Sequence, residues 1–74
     1  MKFERITVDP AQMNGVPCIR NIRIPVATVL KILAEGSSFD EVLELYPDLE
    51  RQDLREAIAF AAQSVETREI ALAS

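Results

Sequence analysis

Three of the four prolines in this 74-residue chain fall within its first 25 positions, and they punctuate that stretch closely. Proline has no backbone N–H and turns the residue before it away from the α region. Asp9-Pro10, Asn14-Gly15, Pro17 and Pro25 therefore cut residues 1–24 into short extended pieces. Beyond Pro25 only Gly36 and Pro47 interrupt the chain, which leaves three stretches free to form helices. The expected fold is mainly α. A short N-terminal β-hairpin or strand pair precedes a three-helix, helix-turn-helix-like domain. One domain spans 1–74, with the β element at 1–24, helices at 25–65 and a tail at 66–74.

Local patterns place the elements. Phe3 to Val8 alternates with the period of a strand. Cys18-Ile19 and Ile22-Arg23-Ile24 flank Arg20-Asn21, which reads as a tight hairpin with Asn21 in the left-handed position. Pro25 suits the first turn of a helix. Val26, Val29, Leu30 and Leu33 then share one helical face, and Gly36 stops it. Ser38-Phe39-Asp40-Glu41 is a capping box, and Phe39, Val42, Leu43 and Tyr46 form the apolar face behind it. Pro47 ends that helix. A third begins near Glu50 or Arg51, with Leu54, Ala57, Ile58, Ala61 and Val65 on one stripe. Phe60 lies about 160° from Ile58, well away from the centre of that stripe, and reads either as the candidate oligomer interface or as part of a wide core face.

Composition excludes several functions. A chain of this size draws only about 3–5 kcal/mol from its core. With one cysteine it has no internal disulfide, so self-association or a partner is expected to add stability. There is no histidine, which removes the commonest general base and any Cys/His zinc site. No apolar run approaches the roughly 20 residues of a membrane span, and Met1 to Arg5 is not a signal peptide. The expectation is a cytoplasmic protein that is not an enzyme and needs no cofactor or metal. Asp40/Glu44 and Asp53/Glu56 share helix faces, but they read as helix-start residues facing the macrodipole. Cys18 reads either as a small buried apolar residue or as a thiol activated by Arg20.

Charge is uneven. Residues 1–31 carry five cations and two anions, and residues 32–74 three cations and ten anions. Such a split suggests two surfaces with different partners. The second and third helices have the dimensions of a helix-turn-helix, at about 38–63. In that motif the N-terminal residues of the second helix read the DNA major groove. Arg51, Gln52 and Arg55 occupy those positions; Arg20 and Arg23 read as contacts to phosphate or to a carboxylate partner, or as merely exposed, with Lys2 and Lys31 as helpers. Glu50, Asp53 and Glu56 stand in the same turns and repel phosphate.

The stretch Asn14-Gly15-Val16-Pro17-Cys18-Ile19-Arg20-Asn21-Ile22-Arg23-Ile24-Pro25-Val26 resembles the signature of the domain-of-unknown-function 433 family. In that family it commonly reads Gly-Lys-Pro-Cys-Ile-Arg-Gly-Thr-Arg-Ile-Pro-Val. Gly36 to Leu49 and Asp53 to Ala62 are similar to its second and third blocks. The sequence departs at Val16 for Lys, Asn21 for Gly, Ile22 for Thr, and Glu50 for the Thr or Ser that often caps the third helix. The resemblance implies an antitoxin-like protein that pairs with a PIN-like ribonuclease toxin and represses its own operon; the small core and Phe60 add the expectation of a dimer. The alternative is a protein-interaction module that does not bind DNA.

Overall fold

The computed structural model describes residues 3–11 and 15–66; Lys2, Asn14 and the tail from residue 67 lie outside the described residues. Three two-residue strands, β1 (Ile6–Thr7), β2 (Cys18–Ile19) and β3 (Ile24–Pro25), precede three helices, α1 (Val26–Ala34), α2 (Phe39–Leu45) and α3 (Arg51–Glu66). The strands form one antiparallel sheet in the order β1-β2-β3. Ile6 pairs with Ile19, and Ile19 with Ile24. Pro25 sits in an edge strand, where a residue without an N–H is tolerated.

Helix boundaries follow local chemistry. Pro25 is the N-cap of α1, one position before the helix begins. Gly36, at φ 105°, lets the chain leave α1. Its N–H donates to Leu33 O and that of Ser37 to Ile32 O, the paired bonds of a Schellman ending. The capping box of α2 forms as the sequence indicates. Glu41 N–H donates to Ser38 Oγ at 3.2 Å, and Ser38 N–H donates to Glu41 Oε1 at 2.7 Å.

The core gathers Ile19 from β2, Val26 and Val29 from α1, Val42 from α2, Leu49 from the turn, and Leu54 and Ala57 from α3. All three helices therefore give apolar residues to the centre, but the inward face of α3 departs from the expected stripe. Asp53, Leu54 and Ala57 are its buried residues. Ile58 and Val65 point outward, 44% and 59% exposed. Phe60 instead turns inward, packs against the core and meets Phe3 edge to face with ring centroids 5.5 Å apart. Its distance from the expected stripe thus reflects a misplaced stripe. The helix is rotated so that Asp53 is inside.

The hairpin also differs from its expected form. Asn21 does not take the left-handed conformation; Arg20 (φ 45°) and Arg23 (φ 61°) do, at the two ends of a four-residue connection. Tertiary hydrogen bonds outweigh the local preference of asparagine here. Arg20 N–H donates to Arg5 O at 2.7 Å, and Thr7 Oγ1 donates to Arg20 O at 2.5 Å. β1 is shorter than the Phe3 to Val8 alternation suggests. Ile6 N–H donates back to Phe3 O, and Arg5 N–H donates to Glu56 Oε1 at 3.0 Å, so residues 3–5 turn toward α3.

Arg23 is exposed, and its left-handed backbone is costly for a residue with a Cβ. Arg23→Gly should raise stability by about 0.5–1 kcal/mol once the greater chain entropy of glycine is offset. Thermal unfolding should show a rise of a few degrees, while Asn21→Gly, with no such strain to relieve, should show none.

Candidate functional site

The first turn of α3 has a weak cap. Glu50, at the N-cap position, has no short hydroxyl to fold over the free N–H groups. Asp53, three residues on, reaches back instead, and Glu50 N–H donates to its Oδ2 at 2.8 Å. That return bond pulls the Asp53 side chain toward the protein interior, where it has no solvent exposure. An ionised carboxylate there must have a full set of donors.

Two arginines from the β region complete the set. Arg20 is bidentate, with Nε donating to Oδ1 at 3.1 Å and Nη2 to Oδ2 at 2.8 Å. Arg5 Nη1 donates to Oδ1 at 3.0 Å. With the Glu50 N–H, each carboxylate oxygen accepts two bonds, which satisfies all four of its lone-pair sites. The outer donors are used too. Arg5 Nη1 also meets Glu50 Oε1 at 2.6 Å, and Arg20 Nη2 donates to Asp48 O at 2.8 Å.

Burial pushes the Asp53 carboxyl up. The bonds from Arg20, the Glu50 N–H and Arg5 outweigh it and hold the group below the ordinary carboxylate value. The guanidinium of Arg5 is raised by its bonds to Glu50 and Asp53. That of Arg20 is raised by its bond to Asp53. All three groups stay charged through the physiological range.

The five residues singled out for DNA now separate. Arg20 is held by Asp53. Arg51 Nη1 turns back to Asp40 Oδ1 at 2.8 Å, and its guanidinium lies 5.6 Å from the centre of the Phe39 ring. Arg23, Gln52 and Arg55 are exposed. Cys18 is buried, with Sγ facing Val16 O at 3.4 Å. Asp40 and Asp53 do begin helices, but each engages an arginine directly. Among the described residues no group of three acidic or cysteine side chains is placed to hold a metal ion.

Sequence reasoning gave Arg5 no role and read Asp53 as a helix-start residue facing the macrodipole. The available signal was Glu50 at a cap position with an aspartate three residues later. It also missed the outer face of α2. There Glu41 and Glu44, both exposed, share the helix with Leu45, which is 62% exposed, and the exposed Asp48 follows in the turn after the helix. A separate apolar groove of about 270 Å³ lies between α1 and α3, lined by Val16, Pro17, Leu30 and Phe60 among others.

Residues 6–61 match the family described as "Protein of unknown function (DUF433)". The chain belongs to that family. It is 34% identical over 58 residues to the uncharacterized protein y4eO of Sinorhizobium fredii, a match covering 78% of this chain and 26% of that protein. The crystal structure of a DUF433 member protein from Anabaena variabilis superposes with a TM-score of 0.78 at 35% identity. That match covers 85% of this chain and 62% of the other. This chain thus spans about a quarter of y4eO and less than two-thirds of the solved relative. Among the described residues no helix is long and apolar enough to cross a membrane.

Asp53→Asn removes one partner of a buried ionic group and should cost about 3 kcal/mol at pH 7. Because the folded carboxyl titrates below its unfolded value, its stabilisation is complete above pH of about 4 and is lost as pH falls through the lower folded value. Urea unfolding should therefore show a gap between wild type and variant that narrows from pH 7 to pH 3.

Proposed function

We propose that this chain is the protein-binding member of a toxin–antitoxin pair, acting in the cytoplasm, and that it neutralises a PIN-like ribonuclease by occupying its cationic RNA-binding cleft. The observation that carries this reading is the outer face of α2. Glu41 and Glu44 share α2 with the exposed Leu45, and the exposed Asp48 follows in the turn, so an apolar anchor sits among anionic side chains. Such a face complements a cleft built for phosphates, and the opposite charges speed encounter and set register. The exposed leucine supplies area whose burial adds affinity independent of salt.

Repression of its own operon has less support. Two of the five candidate DNA contacts, Arg20 and Arg51, already hold carboxylates of this chain. Freeing either breaks an ion pair, and for Arg20 it strands the buried Asp53. The entrance to α3 also carries Glu50, 63% exposed at the side chain, and Asp40, 81% exposed. Phosphate approaching there meets like charge. The protein-interaction reading without direct DNA recognition is accordingly preferred.

The test is co-expression with the product of the adjacent reading frame, followed by a ribonuclease assay. The expected result is a co-purifying complex in which RNA cleavage is suppressed. Glu44→Lys with Asp48→Lys should weaken the complex about tenfold or more with unchanged helix content, since each reversal turns attraction into repulsion. Fluorescence anisotropy should show equal affinity for its own promoter fragment and a scrambled one. Absence of any complex, or an unaffected nuclease within one, would refute the reading.

A further inference from the structure

The rotation that buries Asp53 leaves α3 with a second apolar stripe that nothing among the described residues covers. Ile58, Ala62 and Val65 are all exposed and lie on one side of the helix. At 100° per residue they fall within about 60° of the direction of Ala62. Arg55, Ala62 and Glu66 share that direction, with the cation near one end of the stripe and the anion at the other. Beside them is a groove lined by Ala59, Ala62, Gln63 and Glu66. Those positions are spaced 0, 3, 4 and 7, the four corners of a hole that receives a side chain from a facing helix.

We propose that the outer face of α3 is an interface between two copies of this chain, with the two α3 helices packed antiparallel. Charge selects the direction. A parallel pair would set Arg55 against Arg55 and Glu66 against Glu66. An antiparallel pair crossing between Phe60 and Ala61 sets Arg55 of each copy level with Glu66 of the other. The same crossing brings Ile58 of one copy level with residue 63 of the other, beside that copy's Ala62 and Val65 on the same side of the stripe. Ala59 and Ala62 then face each other at the crossing, and their small side chains permit close approach of the two backbones. The contact is self-complementary, as a two-fold interface requires. This surface is separate from the acidic face of α2, so the dimer and the proposed nuclease complex are independent of one another.

Sedimentation velocity on the purified full chain, without any partner protein, is the test. The wild type should move from the 8.3 kDa protomer to twice that mass, with a midpoint on the order of tens of micromolar, as suits a small interface. Arg55→Glu and Glu66→Arg should each weaken association about tenfold, because symmetry converts two attractive pairs into repulsive ones. The double reversal should restore association to within about threefold of wild type. Ile58→Lys should abolish it with unchanged circular dichroism. A chain that stays monomeric to hundreds of micromolar overturns the proposal. So does a dimer that survives Ile58→Lys, that strengthens with Arg55→Glu, or that is not rescued by the double reversal.

Discussion

A single buried carboxylate organises this small protein. Asp53 accepts four hydrogen bonds, from Arg5 before the sheet, from Arg20 after β2, and from the backbone at the start of its own helix. Sheet strands of two residues hold little free energy on their own. Their attachment to the helical layer therefore depends on contacts such as these. The two arginines reach Asp53 across 48 and 33 residues of sequence, so one side chain closes two long loops of the chain. Backbone bonds follow the same path, with Arg20 N–H donating to Arg5 O. The left-handed Arg20 is held in place by these contacts.

Burying Asp53 has consequences at both faces of α3. Inward, it brings Phe60 round to meet Phe3 and leaves Leu54 and Ala57 to fill the centre. Outward, it exposes Ile58 and Val65, residues that a simple amphipathic reading assigns to the core. At the helix start, cations that composition offers to nucleic acid are engaged inside the molecule. The positive N-terminal third is thus less available to an outside partner than its formal charge suggests. Among the described residues the acidic side chains of α2 stay exposed, with Arg51 returning to Asp40 nearby.

The parts of the fold legible in sequence are those set by residues within four positions of one another. The capping box at Ser38, the glycine ending at Gly36 and the stop at Pro47 each depend on local hydrogen bonds or local sterics. The element order and the mainly helical class follow from them. Sequence periodicity misplaced the inward face of α3 because it counts apolar residues, and here a charged residue takes a central position. Asn21 misled for a related reason. Local propensity favours asparagine in a left-handed turn, but distant partners fix the backbone of Arg20 instead. The acidic residues around Leu45 were visible individually. Their grouping into a face became clear only when Leu45 was seen to be exposed rather than packed.

The most direct test of the organising role of Asp53 is a double-mutant cycle between Arg20 and Asp53, using Arg20→Met, Asp53→Leu and the double variant in urea unfolding at neutral pH. Both guanidinium groups keep some access to solvent, which screens the pair. The expected coupling is still about 1–2 kcal/mol, with the double variant less unstable than the two single changes added together. Coupling within about 0.3 kcal/mol of zero would mean that the two residues act independently. That result would contradict an account in which this carboxylate joins the sheet to the helices.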